Sequence, residues 1–192
     1  MPVLSKSLLG RQFARKSVFD ATRELRDSAS RALKSSDRYD IFLSHRYLDA
    51  PDVLALKMFI ESFGFSVFVD WIANPELDRG SVTKETAGQL RDAMKRCNSL
   101  LYAISGNSSD SKWMPWELGY SDALHGRIAV APVSDYEVAS ESYNGQEYLA
   151  LYPYLSLAQS KDGQRLLWIQ ESASTYVTLK AWLQGSKPSY RP

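Results

Sequence analysis

A short apolar strand followed by a polar loop and a helix is the feature that most constrains the fold of this chain. The strand is predicted over residues 99–104 (SLLYAI), an apolar run with a turn signal after it. Residues 105–110 are small and polar, and a helix is predicted to begin near Ser111, because Pro115 is tolerated only in a first helical turn. In open α/β sheets, ligands bind just beyond the carboxyl end of such a strand.

Trp113 and Glu117 are four residues apart on this predicted helix, so they share one face of it. The spacing places an aromatic ring and a carboxylate side by side near the end of the strand. A structural interpretation is also open from this stretch alone: Trp113 would be a core residue, and Glu117 a solvated acid that favours the helix dipole.

Strands and helices alternate along most of the chain. Further strands are predicted from apolar runs at residues 39–43, 65–69, 127–133, 154–158 and 165–169. Helices are predicted over residues 49–64, 82–96 and 174–184. Lys161, Asp162 and Gly163 indicate a hairpin turn between the last two strands. The pattern predicts an α/β fold: a flavodoxin-like, five-stranded and mainly parallel sheet in the order 2-1-3-4-5, with helices on both faces and an antiparallel edge.

The first part of the chain differs from the rest in charge. Up to Arg38 it carries nine Lys or Arg and four Asp or Glu, a net charge of +5, against +1 for the whole chain. Val18, Leu25 and Ala32 recur every seven residues and predict a weak amphipathic helix, which we expect to dock on its own domain or on a neighbouring subunit. The predicted organisation is a basic helical extension over residues 1–37, a domain over 38–185 and a flexible tail over 186–192.

Composition limits the partners and the compartment. A net charge of +1 gives no reason to expect nucleic acid or an anionic membrane as the main partner. Cys97 is the only cysteine, so no internal disulfide forms, and a reducing compartment, the cytoplasm, is expected. We expect no metal site, because no Cys/His cluster is present, and no membrane span, because no apolar run approaches the roughly 20 residues required.

Polar residues from several loops are expected to meet at the switch point of the sheet, between the first and third strands. They are Ser44, His45, Arg46, Asp70 and Trp71, beside Trp113 and Glu117. Such a set suits a nucleotide, because aromatic rings stack on bases, Arg46 and helix N-termini hold phosphate, and a carboxylate holds a ribose. Each loop residue also has a structural interpretation. His45 would be a hydrogen-bonded loop histidine and Arg46 part of a surface ion pair. Asp70 would cap a turn, and Trp71 would cover the edge of the sheet.

Some enzyme classes are disfavoured. Neither a Walker A loop nor a G-x-G-x-x-G motif is present, which disfavours an ATPase and an ordinary dehydrogenase. Ser44 and His45 are adjacent, but adjacent strand residues point to opposite faces, so a hydrolase triad is also disfavoured.

Several of these segments together resemble a Toll/interleukin-1 receptor (TIR) domain over roughly residues 39–133, with weaker matching to the closing helix. The matching segments are residues 40–45 (DIFLSH), 64–70 (GFSVFVD), the loop ending in Leu77, Asp78, Arg79 and Gly80, and the S-x-W-x3-E pattern formed by Ser111, Trp113 and Glu117. The resemblance implies one of two roles. Some TIR domains cleave NAD+ between nicotinamide and ribose, and others are scaffolds that bind further TIR domains.

For the enzymatic role, the resemblance implies that Glu117 is the catalytic glutamate and that NAD+ is a substrate, with no cofactor. Stand-alone bacterial members act in antiphage defence of the Thoeris type, where an ADP-ribose-derived signal reaches a separate effector. Self-association through the loop from Leu77 to Gly80 is also implied. The alternatives are a non-enzymatic scaffold and, more remotely, an enzyme similar to nucleoside deoxyribosyltransferases that would ignore NAD+.

Overall fold

The computed structural model describes residues 4–13, 16–45, 50–69, 83–104, 113–134 and 147–191, here called the described ranges. The strands within them are β1 (Leu4–Ser5), β2 (Ile41–Ser44), β3 (Val67–Val69), β4 (Leu100–Ile104), β5 (Ile128–Ser134), β6 (Tyr154–Gln159), β7 (Arg165–Ser172), β8 (Thr175–Thr178) and β9 (Ser189–Tyr190). The helices are α1 (Lys6–Gln12), α2 (Val18–Lys34), α3 (Ala50–Glu61), α4 (Lys84–Lys95), α5 (Trp113–His125) and α6 (Leu179–Leu183), with a 3-10 helix at Glu147–Leu151.

The strands form one mixed sheet in the order β3-β2-β4-β5-β6-β7-β8-β9. Pairing is parallel from β3 to β6 and antiparallel from β6 onward. The five predicted strands correspond to β2, β3, β4, β5 and β6, so the predicted order 2-1-3-4-5 is confirmed. The sheet also extends beyond that prediction, because β1 pairs with the end of β5 in a parallel register.

The carboxyl-terminal part of the chain contains more strand than the sequence pattern predicted. The hairpin between β6 and β7 is confirmed, with Gly163 at a φ of +77° in the turn. The predicted closing helix over residues 174–184 is wrong in its first half, because residues 175–178 (TYVT) are β-branched and aromatic and pair with β7. Part of the predicted tail forms β9, which pairs with β8.

Helices cover both faces of the sheet, as predicted. Ile41 and Leu43 lie in a buried cluster with apolar residues of α1, α2, α3 and α6. Phe42, between them, lies in a second cluster with residues of α4 and α5. The alternation follows from the two-residue period of a strand, in which successive side chains point to opposite faces. The carboxyl ends of β2, β4 and β5 therefore lie between two helical layers.

The predicted amphipathic helix, α2, docks on its own domain. Its buried stripe includes Ala21, Leu25 and Ala29, which are at most 2% exposed and belong to the same cluster as α3. Val18, expected on this stripe, is instead 53% exposed because it lies at the start of the helix, beyond the packed face. None of the described helices combines the length and apolar character needed to cross a membrane.

Arg96 fastens the carboxyl end of α2 to the domain. Its Nη1 donates to the carbonyl oxygens of Ala32 (2.9 Å) and Ser35 (2.5 Å), groups that a helix end leaves without an internal partner. Its guanidinium carbon lies 6.0 Å from the ring centroid of Phe68. One cation therefore joins α2 to α4 and to β3.

Candidate active site

The buried face of α5 carries a carboxylate. Its buried residues, Met114, Glu117, Leu118 and Ser121, follow the three- and four-residue spacing of one helical stripe. Glu117 is only 2% exposed, whereas a glutamate is almost never fully buried without a partner. The structural interpretation of Glu117 as a solvated acid is therefore wrong, and its burial needs a compensating interaction.

Ser44 supplies such an interaction. It is the last residue of β2, it is fully buried, and its Oγ donates a hydrogen bond to Oε2 of Glu117 at 2.5 Å. The bond joins the carboxyl end of a central strand to a helix 73 positions later in the chain. A buried carboxylate is thus fixed at the edge of the sheet where ligands bind in open α/β folds.

Aromatic rings line α5 next to this carboxylate. Trp113 begins the helix one turn before Glu117, and its ring packs edge-to-face on Trp116, with centroids 5.5 Å apart. Trp116 in turn stacks on Tyr120 at 5.8 Å. The W-x2-W-x3-Y spacing of this row was visible in the sequence, although Trp116 and Tyr120 were not predicted as site residues. All three rings are partly buried, so Trp113 combines a packing contact with a position near Glu117.

The structure does not bring His45 to this carboxylate. His45 is 5% exposed, and its Nδ1 lies 3.3 Å from the Leu43 carbonyl oxygen. It lines a small cavity together with Asp52, Val53, Leu56, Ala103, Ile104 and Val133. Because Val53 and Leu56 belong to α3, this cavity lies on the face of the sheet opposite α5. Ser44 and His45 therefore face different layers, as expected for adjacent residues.

Asp52 is a residue of this cavity that the sequence did not predict. It lies in the first turn of α3 and pairs with Lys6 of α1 at 3.1 Å, both side chains being largely buried. The pair lies beside the point where β1 joins β5. No sequence signal connects Lys6 with Asp52, because they are far apart in the chain. Only the fold reveals that the amino-terminal segment lies beside the cavity that contains His45 and Asp52.

The remaining predicted site residues, Arg46, Asp70 and Trp71, lie outside the described ranges, as does the loop from Leu77 to Gly80. Among the residues described, no group of three or more His, Cys, Asp or Glu side chains could hold a metal ion.

The carboxyl-terminal part of α5 is held by Tyr152, which directly follows the 3-10 helix. The Tyr152 hydroxyl donates to Oδ2 of Asp122 at 3.0 Å. Burial, together with this hydrogen bond, raises the pKa of Tyr152 to about 12, so its proton is retained at neutral pH. Ser121, one turn after Glu117, donates to the Met94 sulfur at 3.2 Å and so ties the same helix to α4. Glu117 thus lies on a helix held at several points, which favours a fixed carboxylate position.

This arrangement can stabilise positive charge in a place sheltered from water. A carboxylate acts more strongly on a developing cation in a low-dielectric site than in solvent. Neighbouring indole rings offer flat apolar surfaces to a planar heterocycle. Cleavage of a glycosidic bond through an oxocarbenium-like state is a reaction that such a group can assist.

Comparison with known proteins gives two relatives, and no protein-family model matches the chain. The chain is 48% identical over 172 residues to the "Probable 3' cyclic ADP-D-ribose synthase ThsB'" of Bacillus cereus (strain MSX-D12), an alignment that covers 86% of this chain and 88% of that protein. It is 26% identical over 98 residues to the "Putative cyclic ADP-D-ribose synthase TIR2" of Cytobacillus dafuensis, covering 50% of this chain and 26% of that protein.

Proposed function

Because this chain belongs to the family of the probable 3' cyclic ADP-D-ribose synthase ThsB', we propose that it converts NAD+ into nicotinamide and a cyclic ADP-ribose. A synthase of this kind needs an ADP-ribose donor with a leaving group on the anomeric carbon, and NAD+ carries nicotinamide there. Identity over most of both chains supports the activity. The fold is compatible with it as well, because the sheet has the flavodoxin-like order predicted from the alternation of strands and helices, with Glu117 hydrogen-bonded at its carboxyl edge.

The observation that carries the residue assignment is the burial of Glu117 at the carboxyl edge of the sheet, 2% exposed and hydrogen-bonded by Ser44. In the proposed reaction the bond between the anomeric carbon and the nicotinamide nitrogen breaks, and nicotinamide leaves with the electron pair as a neutral molecule. The Glu117 carboxylate stabilises the positive charge left on the ribose. Nicotinamide is already a good leaving group, so no strong acid is required.

The second half of the reaction closes the ring. A hydroxyl oxygen of the same ADP-ribose attacks the anomeric carbon and releases its proton, so the products are cyclic ADP-ribose, nicotinamide and one proton. We propose the 3'-hydroxyl of the adenosine ribose as this nucleophile, following the isomer in the name of the Bacillus cereus relative. The low exposure of Glu117 supports cyclisation over hydrolysis, because water must be kept from the cationic intermediate.

The contacts of the other candidate site residues stay predictions. Trp113, next to the carboxylate on α5, is proposed to stack on the nicotinamide ring. Arg46, Asp70 and Trp71 are proposed to contact the nucleotide. His45 lines a cavity on the face of the sheet opposite α5, and a nucleotide contact from it stays a prediction.

The wider setting is also proposed. A TIR-type, Thoeris-like defence role, with a diffusible nucleotide acting on a separate effector, fits the ThsB' relative. Self-association through the loop from Leu77 to Gly80 stays a prediction from the resemblance. The cytoplasmic location is supported by the buried, unpaired thiol of Cys97.

Product analysis tests this proposal. Purified protein is incubated with NAD+, alone and with extract of phage-infected cells. The nucleotides are then separated by chromatography and their masses are measured by mass spectrometry. We expect a product one water lighter than ADP-ribose, with an NMR correlation linking the anomeric carbon to the 3' position. ADP-ribose as the sole product would replace cyclisation with hydrolysis. Unchanged NAD+ under both conditions would contradict the enzymatic function.

A further inference from the structure

The hydrogen bond between Ser44 and Glu117 bears on the role of Ser44, which the sequence predicted as a nucleotide contact. Ser44 is fully buried, and its hydroxyl proton is directed at Oε2 of Glu117. A serine hydroxyl has a single proton to donate. Its donor capacity is therefore used on the carboxylate, and the side chain presents no surface to solvent.

The strand that carries Ser44 is one of the best-held parts of the sheet. β2 lies between β3 and β4, and Ser44 itself is in register with Tyr102 of β4. Both Ile41 and Phe42, earlier on the strand, are fully buried. The serine oxygen is consequently a fixed point, whereas a glutamate side chain has three rotatable bonds and is inherently mobile.

Holding one carboxylate oxygen at a fixed point restricts the orientation of the carboxylate and the direction in which the other oxygen is presented. This matters to a group that must stabilise a cation at one position, because a misplacement of about 1 Å can remove much of the rate.

We propose that Ser44 is a positioning residue: it orients the Glu117 carboxylate towards the ribose, and it acts on the reaction only through Glu117. This inference rests on the proposed function of Glu117. It predicts that the Ser44 hydroxyl contributes to the rate of bond cleavage and contributes little to the binding of NAD+.

The test compares four proteins in steady-state nicotinamide release: the intact chain, Ser44→Ala, Ser44→Thr and Ser99→Ala. Ser44→Ala is expected to lower kcat by about 10- to 100-fold, as loss of an outer-shell orienting partner does at metal sites, while KM changes less than about twofold. Ser44→Thr keeps a hydroxyl and is expected to recover most of the rate. Ser99→Ala is the matched control, since Ser99 is as buried as Ser44 but its hydroxyl donates to the Asp40 carbonyl oxygen and not to Glu117.

A second arm separates positioning from structure. Ser44→Ala is introduced into a Glu117→Gln background, and NAD+ binding is measured by calorimetry. Because Ser44 acts through the carboxylate, we expect the double variant to bind NAD+ with a dissociation constant within about twofold of that of Glu117→Gln alone. We also expect no further loss of turnover, as for groups that act as a unit.

Each other outcome overturns the inference. A raised KM with unchanged kcat would place Ser44 on the nucleotide. Unchanged kinetics would make the bond irrelevant, and faster turnover would mean that Ser44 restrains Glu117. If Ser44→Ala does not fold, a folded Ser44→Cys variant is measured instead. A lower kcat in that variant supports the inference, and full activity overturns it. An intact chain that leaves NAD+ unchanged refutes the proposed function, whereas a fully active Ser44→Ala refutes only the positioning role.

Discussion

Replacement of Leu25 by alanine tests whether the amino-terminal helix belongs to the same cooperative unit as the sheet. Leu25 is fully buried in the cluster that also holds residues of α3, although the sequence predicted residues 1–37 as an extension. Truncating a fully buried leucine removes its transfer free energy and leaves a cavity, at a cost of about 2–5 kcal/mol. For a domain of this size each kcal/mol lowers Tm by about 2–4 °C, so Tm should fall by about 4–20 °C.

The assay is urea unfolding of the intact protein, Leu25→Ala and the control Val18→Ala, followed by circular dichroism and by tryptophan fluorescence. Val18 is on the same helix but 53% exposed, so its truncation should change the free energy of unfolding by less than about 0.5 kcal/mol. We expect coincident transitions from both probes. A Leu25→Ala protein as stable as the intact one, or a separate early transition by circular dichroism alone, would refute the packing of α2 into the core.

The further predictions concern three residues, Arg96, Cys97 and His125. Arg96→Ala should lower the free energy of unfolding by about 1–3 kcal/mol, because two carbonyl oxygens at the end of α2 lose a charged donor; equal stability in urea would contradict this. Burial raises the pKa of Cys97 to about 12 from 9.0, so a thiol reagent should label it at pH 8 only after unfolding, and rapid native labelling would be the contrary result. The folded state keeps this thiol proton while the unfolded state loses it, so stability from this group should decline as pH rises from about 9 towards 12. Burial, with Arg127 nearby, lowers the pKa of His125 below 6.5; the unfolded state then binds the proton more readily, so stability should fall as pH drops below 6.5, and His125→Gln should reduce that slope in pH-dependent melting.

The part of the fold that local pattern determines was predictable. Apolar runs such as that of β4, followed by helices of the right length, fix the parallel order of the sheet, because few right-handed topologies are compatible with them. The position of Glu117 near the carboxyl end of a strand follows from the same pattern. Residues 175–178 were misassigned because a short apolar spacing fits a helix as well as a strand, and pairing with β7 decided the outcome.

Contacts between distant parts of the chain were not predictable. The bond from Ser44 to Glu117 joins two segments 73 positions apart, and the pair of Lys6 and Asp52 depends on how α1 docks on α3. The sequence identified Ser44 as a site residue but not its hydrogen bond to Glu117, since a serine at the end of a strand does not reveal which group its hydroxyl contacts. His45 was placed beside Ser44 by adjacency, although strand alternation separates their side chains.

The most direct test of the proposed function is nicotinamide release from NAD+ by the intact protein, by Glu117→Gln and by the control Glu171→Gln. Glu171 is an exposed glutamate on β7, next to Gln170, which pairs with the first residue of β6, so its substitution removes the same charge at the opposite edge of the sheet. We expect release by the intact protein and by Glu171→Gln, and loss of at least about 100-fold in a folded Glu117→Gln, as when a group that stabilises transition-state charge is removed. Near-normal release by Glu117→Gln would contradict the assignment of Glu117 as the catalytic carboxylate.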